Sequence, residues 1–109
     1  MTEISVDTNA VTLINVFTVE PDQQEKLVDL LIEATRDTMQ RIDGFVSANI
    51  HKSADGVRVT NYAQWRSAAH FEAMLQNPAA RPHMQAAAKI ATSFDAHLYE
   101  VVECVTVDG

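Results

Sequence analysis

Two runs with strand character, Phe45 to Lys52 and Val57 to Trp65, are separated only by Ser53-Ala54-Asp55-Gly56. A link this short fits a hairpin, and Gly56 can take the left-handed conformation that a bulged turn requires. If Ser53 pairs with Val57, then His51 lies opposite Val59, Asn49 opposite Asn61 and Phe45 opposite Trp65, all on one face. The grouping depends on register, because a slip of one residue turns every side chain of a strand to the other face.

The remaining segments fit around this hairpin. Val11 to Val19 is rich in β-branched residues and reads as a strand, with Val11, Leu13, Asn15, Phe17 and Val19 on one face and Thr12, Ile14, Val16 and Thr18 on the other. Pro21 suits a first helical turn, and Leu27, Leu30, Leu31, Ala34 and Thr38 recur at helical spacing up to Gly44. Val28, Ile32 and Met39 widen the apolar stripe of this helix of about 20 residues. Ser67 can cap a short helix carrying Phe71, Met74 and Leu75. Asn77-Pro78 opens another, with a restart at Pro82 and Met84, Ala87, Ala88 and Ile90 along it. Leu98 to Val107 reads as the last strand.

The order β-α-β-β-α(α)-β is that of a ferredoxin-like split βαβ fold of the α+β class, with helices on one face of a four-stranded antiparallel sheet. At 109 residues the chain is one domain, residues 11–109, behind a flexible tail of residues 1–10. The second sheet face would carry Ile14, Val16, Val46, Ala48, Ile50, Thr60 and Tyr62, with no chain left to cover them. A homodimer is the simplest cover.

Composition narrows function by exclusion. With 15 acidic and 8 basic residues the net charge is −7, which repels nucleic acid and anionic membrane surfaces. No apolar run reaches the ~20 residues of a membrane span, and Glu3 and Asp7 spoil a signal peptide, so the expected location is the cytoplasm. Cys104 is alone, which argues against an internal disulfide or a zinc finger. No Gly-rich phosphate loop or clustered His, Cys and carboxylate set is visible, so no cofactor and no metal are expected.

Three polar residues interrupt otherwise apolar strand faces on the expected helix side: Asn15, Asn61 and His51. Trp65 follows Asn61 by four residues on the same face and adds an indole N–H. Taken singly, each is a core residue with its hydrogen bonds satisfied; their convergence favours a site.

Asn61-Tyr62-Ala63-Gln64-Trp65, followed by Arg66-Ser67 and a helix with Phe71, resembles the core motif of the antibiotic biosynthesis monooxygenase family. Asn15-Val16-Phe17-Thr18-Val19 before the Pro21 helix, and Gly44-Phe45-Val46-Ser47-Ala48 leading into His51, are similar to the anthrone oxygenases of that family. The resemblance spans roughly residues 11–105. It implies a dimeric α+β barrel that oxidises an anthrone-type phenol to a quinone with O2 and without flavin, haem or metal. By position it implies Asn15, Asn61 and Trp65 as catalytic residues, with His51 as a pocket histidine able to accept a proton. Phe17, Asn49, Phe71, Met74, Arg81 and His83 are the candidates for substrate contact. One branch of the family has a tyrosine where Phe71 stands, and its helix arginine has only Arg81 nearby, so a Tyr–Arg proton relay is not expected.

Two other readings compete with the oxygenase. One is a non-catalytic ligand-binding or stress-related dimer. The other is haem binding, since haem-degrading relatives of this fold use a helix histidine near His83; those enzymes also need a tryptophan where Met74 stands.

Overall fold

The computed structural model describes residues 2–107. In chain order it has β1 (Val11–Thr18), α1 (Gln24–Asp37), β2 (Phe45–Lys52), β3 (Arg58–Trp65), α2 (Ala68–Gln76), α3 (Arg81–Ile90) and β4 (Ser93–Tyr99). The strands form one sheet in the order β2-β3-β1-β4, and each neighbouring pair is antiparallel. This is the ferredoxin-like α+β arrangement expected from the element order, with the three helices on one side.

Alternation along β1 and β3 sends Leu13, Phe17, Val59, Ala63 and Trp65 toward the helices, where all are buried. They belong to two core clusters, one built on Leu13, Ala63, Trp65, Met74 and Ala80 and the other on Phe17, Val19, Leu27, Val59 and Ala87. Gln24, at the start of α1 and 8% exposed, donates to the carbonyls of Ser53 and Arg58, both at 3.0 Å. A buried amide so placed fastens α1 to the hairpin, and its removal would strand those carbonyls.

The α1 helix departs from the single long helix expected. A short 3₁₀ turn, Pro21–Gln23, precedes it and another, Met39–Arg41, follows. The break falls at Thr38 (φ −130°, ψ −62°), whose N–H still donates to the Ala34 carbonyl while its hydroxyl meets His83. Gly44 then lies at φ +88°, and a Cβ there would come within 2.3 Å of the His70 ring. Only glycine lets the chain pass this close to the start of α2. The cap of that helix is the expected one, Ser67 Oγ accepting from the His70 N–H at 3.1 Å.

The hairpin register differs by one residue from the sequence expectation. Phe45 does oppose Trp65, but a bulge at Val46 follows, and then Ala48 pairs with Ala63, Asn49 with Tyr62, Ile50 with Asn61 and His51 with Thr60. The turn sets this. Ser53 N donates to the Arg58 carbonyl at 3.0 Å, Arg58 N donates to Ser53 Oγ at 2.9 Å, and the Asp55 carboxylate accepts from Ser53 Oγ at 2.6 Å and Val57 N at 3.2 Å. Ser53 is thus drawn to Arg58 rather than to Val57. As a result Asn49 and His51 leave the helix side, while Ala48 and Ile50, expected on the outer face, pack inward against the core clusters.

The last strand also starts earlier than expected. It begins once Thr92 has donated to the Thr18 carbonyl and ends where Tyr99 meets Thr12, one residue from the start of β1. Residues 101–107, strand-like in composition, form no strand, and Val102, Val105 and Val107 are exposed at 83%, 86% and 95%. At the other end, residues ahead of β1 cross the outer face of the sheet: Thr2 Oγ1 donates to Asn49 Oδ1 and the Glu3 carbonyl accepts from Gln64 Nε2, each at 2.7 Å.

Candidate active site

Between the sheet and the helices lies a cavity of about 290 Å³. Its floor is the inward face of β1 and β3, and the pairing of Asn15 with Asn61 places the two carboxamides side by side in it. Trp65 closes the floor four residues along β3, 2% exposed and edge-on to Phe45 (5.6 Å, 89°) and Phe71 (6.5 Å, 64°). Phe17 and Ala63 complete the strand contribution, while Met39, Met74, His83 and Met84 are among the side chains that descend from the helix layer.

The lining is almost entirely apolar, which makes its few polar groups conspicuous. Asn15 Oδ1 and Asn61 Oδ1 are both buried without a hydrogen-bond partner. Each such atom costs about 1–3 kcal/mol of lost solvation. Two of them, on cross-strand partners in the cavity floor, are poor choices for stability; each is an acceptor, and the donors of these side chains are their NH2 groups. His83 contributes an imidazole whose Nε2 lies 2.9 Å from Thr38 Oγ1.

Of the residues singled out from sequence, Asn15, Asn61, Trp65, Phe17, Phe71, Met74 and His83 all line the cavity. His51, Asn49 and Arg81 do not. His51 is exposed on the outer face, its Nδ1 3.0 Å from the Asn49 carbonyl. Asn49 lies on that face too, donating to the Tyr62 carbonyl at 3.1 Å and accepting from Thr2. The register described above accounts for both. Arg81 opens α3 at an exposed position, where its charge stays hydrated. Sequence reasoning missed Phe45, Ala48 and Met84 as lining residues, and missed the Thr38–His83 contact, which joins two helices no spacing rule relates. Met39 signalled itself by widening the stripe of the first helix. Among the described residues no group of three His, Cys, Asp or Glu side chains is placed to hold a metal. No helix among them is long and apolar enough to cross a membrane.

Residues 10–89 match the family model of the antibiotic biosynthesis monooxygenases. The chain belongs to that family. As a family member it is a monooxygenase, and it is 48% identical over 83 residues to the tetracenomycin-F1 monooxygenase of Streptomyces glaucescens, a match covering 76% of this chain and 74% of that relative. Among solved structures it is similar to a monooxygenase from the gene ActVA-Orf6 of Streptomyces coelicolor, determined in complex with nanaomycin D (TM-score 0.82, 25% identity, 91% of this chain and 93% of that one). It also shares its fold with SnoaB, a cofactor-independent oxygenase from Streptomyces nogalater, seen as an asparagine-to-alanine mutant (TM-score 0.78, 21% identity, 90% of this chain and 98% of that one).

Proposed function

We propose that this monooxygenase oxidises an anthrone-type polycyclic aromatic phenol to the corresponding quinone with O2 and without a cofactor, working in the cytoplasm as a homodimer. The observation that carries the reading is the pair of carboxamides, Asn15 and Asn61, set side by side with neither oxygen hydrogen-bonded, in an apolar cavity floored by Trp65; the donors there are their NH2 groups and the indole N–H. A cavity of about 290 Å³ lies just below the usual range for small-molecule sites, about 300–1,000 Å³, and calls for a compact ligand. A relative named as a tetracenomycin-F1 monooxygenase supports oxygenation of a polyketide intermediate.

The chemistry asks little of the protein. An anthrone loses a proton from its ring CH2 and becomes a delocalised anion whose charge sits largely on oxygen. That anion reduces O2, a C–O bond forms, and the resulting hydroperoxide loses water to leave the quinone carbonyl. One oxygen atom enters the product and the other leaves as water. Amide N–H groups of Asn15 and Asn61 and the indole N–H of Trp65 are aimed, in this reading, at the developing oxyanion in a space that excludes water. The apolar lining keeps the anion's electrostatic contacts strong.

Oxygen uptake on addition of a soluble anthrone to purified protein, with no flavin, haem or metal supplied, tests the reading. Uptake of one O2 per quinone formed, with one labelled atom in the product, is the expected result; activity that requires an added redox cofactor refutes it. For the dimer, the supporting observation is the exposed apolar set Phe94, Leu98, Tyr99, Val102, Val105 and Val107, and sedimentation at micromolar concentration tests it.

A further inference from the structure

Anion formation in this cavity needs a group to take the proton, and the histidine marked for that task by sequence, His51, is exposed on the opposite face of the sheet. Among the described side chains lining the cavity, His83 is the one that carries an acid–base group. The charged or titratable side chains on the elements around the cavity are Glu25, Lys26, Asp29, Glu33, Arg36 and Asp37 of α1, Arg41 of the following turn, His70 and Glu72 of α2, His51 and Lys52 of β2, Arg58 and Tyr62 of β3, and Asp95, His97 and Tyr99 of β4. None of these, nor Arg81 or Lys89 of α3 itself, lines the space.

Resting on the function proposed above, we infer that His83 is the general base, receiving the substrate's proton on Nδ1, and that Thr38 is the residue that positions it. The interruption of α1 at Thr38 brings a hydroxyl to 2.9 Å from Nε2. When Nε2–H donates to Thr38 Oγ1, the ring is in the tautomer that leaves Nδ1 with its lone pair, free to accept. A hydroxyl can accept that bond in both charge states of the ring, so the contact survives protonation. The C–H electron pair stays on the substrate as the anion and the proton moves to Nδ1. Imidazolium then faces an oxyanion held by Asn15 and Asn61, so the two charges arise together in the apolar space. After O2 has added, the peroxide anion takes the proton back from Nδ1, and His83 is ready for the next turnover.

The test is oxygen uptake with an anthrone across pH 5 to 8 for wild type, His83→Gln, Thr38→Val and His51→Ala, beside thermal melts and an absorbance titration with a hydroxyanthraquinone. The wild-type kcat/KM should fall on acidification, since imidazolium cannot accept a proton. His83→Gln should lower turnover by roughly 10²–10⁴-fold and flatten that acid limb while still folding and binding the quinone. Thr38→Val should lower kcat by about tenfold and displace the limb with KM little changed, the mark of a misaligned base. A flat wild-type profile, or retained turnover in His83→Gln, overturns the assignment of the base, and so does loss of turnover in His51→Ala alone. If wild type itself takes up no oxygen with any anthrone, the proposed function falls first and this inference with it.

Discussion

The two faces of the sheet carry the same kind of side chain and treat it in opposite ways. On the outer face Asn49 accepts from Thr2 and donates to the Tyr62 carbonyl, and Gln64 accepts from Ser47 Oγ at 2.7 Å and donates to the Glu3 carbonyl. Every carboxamide there is paired within the chain. On the inner face, Asn15 and Asn61 keep their oxygens buried and unpaired amid hydrocarbon. Composition is therefore a poor guide to the site: the distinction lies in which amides the fold satisfies and which it leaves unpaired.

Substitutions should separate the faces. The largest effect is expected from Asn61→Ala, with Trp65→Phe beside it: loss of one preorganised donor costs about 2.7–4 kcal/mol in the transition state, or two to three orders of magnitude in turnover. Stability should hold or rise in Asn61→Ala, because an unpaired buried oxygen is removed. Oxygen uptake and a thermal melt on the same samples check both halves.

Gln64→Leu should do the reverse. At 4% exposed it is buried, and the substitution strands Ser47 Oγ and the Glu3 carbonyl. The loss should be about 1–3 kcal/mol, seen as a lowered midpoint in urea, with turnover per folded molecule unchanged. A loss of turnover without loss of stability would place the outer face in the chemistry.

The smallest effect is at the turn that decides which residues of β2 belong to which face. The Ser53 hydroxyl, followed by the Val57 N–H, holds the Asp55 carboxyl below its usual range. A carboxyl with a depressed folded-state value stabilises the protein above its unfolded pKa of ~3.9, and that contribution is lost as pH falls through the folded-state value. Asp55→Asn should therefore melt slightly below wild type at neutral pH, and the difference should vanish on acidification. A difference that persists in acid would mean that the charge is not what holds the turn.

Much of the inner face was readable in the sequence. Period-two alternation alone put Asn15 with Phe17, and Asn61 with Trp65, because β1 and β3 lie in the middle of the sheet and run without irregularity. The edge strands were not readable in the same way. In β2, the bulge at Val46 and the side-chain bonds of Ser53 and Asp55 moved His51 and Asn49 to the other face, and local polar contacts of this kind leave no trace in hydrophobic pattern. In β4, strand propensity continues through Val107 but the ladder stops at Tyr99, opposite Thr12 near the start of β1. The pairing of Thr38 with His83 depends on how two helices cross, which periodicity does not fix.

On the proposed function, the inner carboxamides and the Trp65 indole receive the ligand's oxygens while the outer carboxamides hold the fold. Side-chain N–H resonances in a ¹⁵N-labelled sample, titrated with a hydroxyanthraquinone, test it directly. The Asn15 and Asn61 amide pairs and the Trp65 Nε1–H should shift together and saturate with one ligand per subunit, while Asn49 and Gln64 stay where they are. Saturable shifts at Asn49 and Gln64 with Asn15, Asn61 and Trp65 unmoved would contradict it.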